Sequence, residues 1–167
     1  MQILSVRSLK RIRIITEQKR KDILGNQFDI KIKYHTDAPH VKENAQGDMY
    51  DICAAETVSL KKGSFCLIDL GISIKMPEGC TCWIVPRSST YKRYKIIQTN
   101  SVGVIDGSYS GNNDIIKFPA RADEDTVIRK GDYICQMCVT KRPPRLTFTE
   151  VDSLDDVDRG GFGSTGR

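Results

Sequence analysis

The run Phe28-Asp29-Ile30-Lys31-Ile32-Lys33-Tyr34 alternates strictly between apolar and polar residues. A period of two fits a strand with one face in a core and the other in water. Alternation returns at Leu70, Ile72, Ile74 and Met76, and shorter β-rich runs stand at Thr81 to Val85, Ile115 to Phe118, Tyr133 to Val139 and Leu146 to Val151. Turn signals separate them: Lys61-Lys62-Gly63, Pro77-Glu78-Gly79, Asp106-Gly107 and Lys130-Gly131-Asp132. Short strands punctuated in this way predict an all-β antiparallel barrel or sandwich. No long amphipathic helix is expected in residues 27 to 167, only a short one from Pro86 through Tyr94, with a second over residues 9 to 24 of the N-terminal tail.

A chain of 167 residues fits one ordinary domain. Hydrophobic content of 39% and charged content of 28% argue against both a disordered chain and a membrane protein. Every apolar stretch is too short to span a bilayer. Lys10, Arg11, Arg13, Lys19, Arg20 and Lys21 interrupt any signal-peptide core, and a cytoplasmic location is expected. Residues 1 to 26 hold seven basic groups against Glu17 and Asp22, so the whole net charge of +5 resides there and the remainder is neutral. That tail has no aromatic residue to stack on bases, and it reads as a solvated extension rather than a nucleic-acid or membrane arm. The division expected is a basic extension over 1–27, a barrel over 28–151 and a mobile arm over 152–167.

Six cysteines require a test of metal and disulfide readings. Cys80 and Cys82 are too close for a zinc knuckle, and Cys135 and Cys138 lack a second pair and would face opposite ways on a strand. Reduced thiols acting as small buried hydrophobes account better for Cys53, Cys66, Cys80, Cys82, Cys135 and Cys138.

Five segments carry groups that call for a chemical explanation. Arg159-Gly160-Gly161-Phe162-Gly163-Ser164-Thr165-Gly166-Arg167 has the freedom to wrap backbone amides and two hydroxyls around phosphate oxygens, although a free tail would have the same composition. It lacks the lysine and following helix of the common nucleoside triphosphatase loop, so a flap closing over a triphosphate fits better. Pro86-Arg87-Ser88-Ser89-Thr90 presents a guanidinium with hydroxyls after a strand, a set that serves either a phosphate or a surface turn. Asn100-Ser101-Val102-Gly103-Val104-Ile105-Asp106-Gly107-Ser108-Tyr109 offers an amide, a carboxylate and a ring around glycines. It makes either a structural turn or a hairpin pocket in which Asp106 is a general base. Asp51 and Gln136 complete the set and say little alone.

Taken in order, these segments resemble the five motifs of the homotrimeric dUTP pyrophosphatase (dUTPase) family over residues 28 to 167, with details most similar to the Bacillus and temperate-phage type. The resemblance implies a jelly-roll-like β-barrel that trimerises, each site drawing its third motif from one subunit and its fifth from another. It implies Mg²⁺-dependent hydrolysis of dUTP to dUMP and pyrophosphate, which lowers dUTP and supplies dUMP for dTTP synthesis. Asp106 would activate the water that attacks the α-phosphorus. Asn100 and the backbone from Gly103 through Val104 to Tyr109 would pair with uracil, with Ile105 and Tyr109 against the deoxyribose. Arg87, Ser88, Ser89 and Gln136 would hold phosphates, and Asp51 would meet Mg²⁺ through water. Arg159, Gly163, Ser164 and Thr165 would close on the terminal phosphate as Phe162 covers the base. Two positions depart from the family pattern: Met49 stands where a glycine is usual, and only Gly160 and Gly161 separate Arg159 from Phe162. A dCTP deaminase relative would need a glutamate base near the third motif, where the nearest downstream is Glu124 in a polar loop. A dUTPase-like protein that controls a regulatory partner is the other alternative. No membrane and no stable nucleic-acid partner are expected.

Overall fold

The alternating run at the start of the body becomes a strand, with Ile32 and Tyr34 packed against the core and Lys31 in water. The computed structural model describes residues 28–160. Within them the strands are β1 (Lys31–Tyr34), β2 (Lys42–Glu43), β3 (Tyr50–Cys53), β4 (Val58–Leu60), β5 (Phe65–Asp69), β6 (Ile72–Lys75), β7 (Cys80–Pro86), β8 (Ile96–Gln98), β9 (Gly103–Asp106), β10 (Lys117–Ala122), β11 (Thr126–Ile128) and β12 (Tyr133–Lys141), with one helix, α1 (Thr90–Tyr94). They form sheets in the orders β1-β6, β5-β10-β8, β11-β4 and β2-β3-β12-β7-β9. Every pairing is antiparallel. The sheets wrap one apolar core as a jelly-roll-like barrel, with Ile52, Ile68, Ile84, Ile96, Ile116, Phe118, Ile128 and Ile134 fully buried.

Three sequence expectations shift. The run at Ile115 to Phe118 becomes β10, which starts at Lys117 and continues through Pro119 to Ala122. Pro119 is tolerated one residue outside the β10–β8 ladder, which begins at Ala120. The run at Leu146 to Val151 is not a strand: residues 142–160 are irregular, with Leu146 and Phe148 72% and 87% exposed. Strand geometry needs a partner ladder, and the chain supplies none there. The helix after Pro86 is confined to five residues, ending where Lys95 takes the left-handed conformation at φ 52° and donates its N–H to the Tyr91 carbonyl. The helix expected over residues 9 to 24 lies outside the described residues.

All six thiols are free. Cys53, Cys80, Cys82 and Cys135 are buried, and burial pushes the Cys82 thiol up to about 12, so it stays protonated and inert near neutral pH. As period two requires, Cys135 faces the core while Cys138 lies partly exposed on the opposite face of β12.

Candidate active site

One face of the five-stranded sheet closes the core, and the other carries most of the candidate chemistry. Register sets Asp51 on β3 opposite Gln136 on β12, and Gln136 opposite Val85 on β7. Farther along, Trp83 pairs with Val104 and Thr81 with Asp106 on β9. Paired residues share a face and alternate ones along a strand return to it. Asp51, Gln136, Val85, Trp83, Val104 and Asp106 therefore share the outer face, while Ile52, Cys135, Met137, Ile84 and Ile105 pack into the core. Ile105 thus turns its side chain inward, and Val104, 51% exposed, stands beside Asp106.

At one end of β7 the chain leaves the sheet through Pro86 and presents Arg87. The guanidinium is held from three sides: Nε sits 2.9 Å from Asp51 Oδ1, Nη1 donates to the Tyr133 carbonyl at 3.1 Å, and the Tyr133 ring lies 5.9 Å from the guanidinium carbon. Burial pushes the Tyr133 phenol above its ordinary value, Cys53 and Asp51 add to the shift, and Arg87 opposes it. The loop is fixed by Thr90, 1% exposed, whose hydroxyl donates to the Ile134 carbonyl at 2.7 Å and accepts from the Arg87 N–H at 2.9 Å. Ser88 is exposed, and Ser89 precedes α1 without capping it through its side chain. Gln136 donates to the Pro86 carbonyl at 3.4 Å. Asp51, Arg87 and Gln136 thus meet in one patch beside Ser88 and Ser89.

The third motif lies at the other end. Asp106, opposite Thr81, is exposed beside an open groove of about 710 Å³ lined also by Trp83, Val104, Ser108, Lys75 and Arg142. The Tyr109 N–H donates to the Asp106 backbone carbonyl at 3.0 Å, and its hydroxyl donates to the Ile115 carbonyl at 3.1 Å, holding the ring at the rim. Asn100 precedes β9, with its side chain bonded to Gln98. Gly103 packs closely under β7, where a Cβ would stand 3.1 Å from the Ile84 Cβ, tighter than ordinary contact.

The two clusters are apart within one chain: Thr81 and Pro86 are separated by about 17 Å of strand at 3.4 Å per residue. Arg159 is exposed in the irregular C-terminal stretch. Phe162, Gly163, Ser164 and Thr165 lie outside the described residues.

Tyr133 and Gln98 support the site without figuring among the sequence candidates, and the Thr90 hydroxyl of the candidate segment 86–90 anchors the loop to Arg87 and Ile134. Gln98 alone had a signal, because it is in phase with Ile96 and so belongs to the buried side of β8. The contacts from Arg87 to Tyr133 and from Thr90 to Ile134 join segments more than forty residues apart and leave no local pattern.

Residues 35–166 match the dUTPase family model. The chain is 51% identical over 140 residues, 83% of its length and 99% of the relative's, to the SPbeta prophage-derived deoxyuridine 5'-triphosphate nucleotidohydrolase of Bacillus subtilis. The Staphylococcus bacteriophage 80alpha dUTPase with dUPNHPP has the same fold, with a TM-score of 0.71 at 21% identity over 83% of this chain and 99% of that one. A mutant dUTPase of phage phi11 of S. aureus, described with a structural Mg(II) ion, superposes with a TM-score of 0.65 at 18% identity over 77% of this chain and 99% of that one. With the family model spanning most of the chain and a relative at this identity matched along nearly its full length, the chain belongs to the dUTPase family.

Proposed function

We propose that this chain hydrolyses dUTP to dUMP and pyrophosphate in sites completed between the subunits of a homotrimer. One observation carries the reading: the same open sheet face displays a rigidly held guanidinium at one end of β7 and an exposed carboxylate at the other, separated by about 17 Å of strand. A neighbouring copy that brings its Asp106 to this chain's Arg87 makes the site whole. Partly exposed Trp83, Val85 and Val104 between the two ends, and exposed Leu146, Phe148, Leu154 and Val157 beyond β12, give such copies apolar surface to bury.

In this reading Arg87, Ser88, Ser89 and Gln136 bind the phosphates, and Asn100 with the β9 backbone reads uracil. Asp106 takes a proton from a water whose oxygen bonds to the α-phosphorus, while the bond from that phosphorus to the bridging oxygen breaks and pyrophosphate leaves. Tyr109 packs at the sugar, and Arg159, Phe162, Gly163, Ser164 and Thr165 close over the nucleotide. Among the described residues no three His, Cys, Asp or Glu side chains gather to hold a metal. Mg²⁺ is commonly bound by substrate phosphates and one or two carboxylates while keeping several waters. Asp51, with one oxygen on Arg87, is the residue that would meet it. When bound, the ion neutralises phosphate charge that would repel an incoming nucleophile. Among the described residues no helix is long and apolar enough to cross a membrane. The free thiols and a nucleotide substrate fit the reducing cytoplasm.

The test is Asp106→Asn. Pyrophosphate release from dUTP is expected to fall by about 10²- to 10⁴-fold, the usual contribution of a general base, while titration calorimetry still shows nucleotide binding. An unchanged rate would remove Asp106 from the mechanism.

A further inference from the structure

Gln98 ends β8 with its side chain inward, 5% exposed. A single nitrogen makes both of its side-chain hydrogen bonds: Nε2 donates to the Ile84 carbonyl at 3.1 Å and to Asn100 Oδ1 at 2.9 Å. The chemistry of the partners fixes both amides. The Ile84 carbonyl can only accept, so the Gln98 atom facing it must be nitrogen. That nitrogen can only donate, so the Asn100 atom receiving its second proton must be oxygen. Turning either amide over would set two acceptors or two donors against each other. Gln98 Oε1 is buried without a hydrogen-bond partner among the described residues. Asn100 itself is exposed, and without Gln98 either of its amide orientations would be open to it.

We propose that Gln98 is the positioning residue for base selection: by holding Asn100 Oδ1 it turns Nδ2 into a fixed donor toward the base. This rests on the reading that Asn100 meets the pyrimidine. A fixed donor gives a hydrogen bond to the 4-carbonyl of uracil and opposes the 4-amino group of cytosine, which would bring N–H against N–H. A free Asn100 would turn its oxygen outward and accommodate either base.

The test compares kcat/KM for dUTP and for dCTP in the full-length wild type, Gln98→Met, Gln98→Leu and Asn100→Ala. Both Gln98 variants fill the buried site without an amide, and the ratio of the two constants is insensitive to how much of a preparation is folded. The dUTP-to-dCTP ratio is expected to fall about tenfold in both, the factor that 1.4 kcal/mol represents, chiefly through improved use of dCTP. If Asn100→Ala loses discrimination and both Gln98 variants keep the wild-type ratio, the positioning role is overturned. If Asn100→Ala leaves dUTP kinetics unchanged, the base-reading role of Asn100 falls and the inference falls with it.

Discussion

The guanidinium of Arg87 spends two of its five N–H groups on being held still, one on Asp51 and one on the Tyr133 carbonyl, which leaves three for a phosphate. A lysine would keep the charge and lose this planar, double attachment, since an ammonium is a point charge on a flexible stem. Arg87→Lys is therefore expected to raise KM for dUTP about tenfold, equivalent to one charge-assisted hydrogen bond, with a smaller change in kcat. Steady-state kinetics separate the two constants, and a loss confined to kcat would contradict a ground-state phosphate contact. Arg87, Asp51 and Gln136 were legible as chemical groups from their residue types and order. The contact that makes Arg87 rigid was not, because Tyr133 comes to it from a strand forty-six positions away.

The element that positions this residue is the short connection from β7 through α1, tied to β12 by one hydroxyl. Thr90→Val keeps the shape and strands the Arg87 N–H and the buried Ile134 carbonyl. Unfolding stability should fall by about 1–3 kcal/mol, the cost of leaving buried polar groups unsatisfied. Urea denaturation reads that change, and a stability equal to wild type would show that solvent satisfies both groups. The existence of β1, β6, β7 and β12 was readable from period two and turn residues. Their neighbours were less so: Pro119 hid the length of β10, and the alternation in Leu146 to Val151 describes a strand for which the chain alone supplies no ladder.

At the scale of the molecule, the distance along β7 between the Asp106 and Arg87 clusters becomes a test of assembly. Light scattering of the full chain is expected to give three times its mass of 18.8 kDa. Asp106→Asn and Arg87→Ala subunits, each inactive alone, should recover about a quarter of wild-type activity when co-refolded in equal amounts. Random assembly of a closed ring gives that fraction when each site takes Asp106 from one subunit and Arg87 from another. A mixture no more active than its parts would confine the site to a single chain.

A β-rich barrel and a set of candidate residues for its chemistry were both readable from local sequence. Strand period, turn residues and short motifs are local properties that do not depend on the rest of the fold. Which of those residues face one another depends on the assembled fold. Pairing register set Asp51 and Gln136 beside Arg87 and carried Asp106 to the far end of the same face. It also brought Gln98 between Ile84 and Asn100. Register is a relation between distant segments, fixed by the packing of the whole core, and no window of sequence contains it.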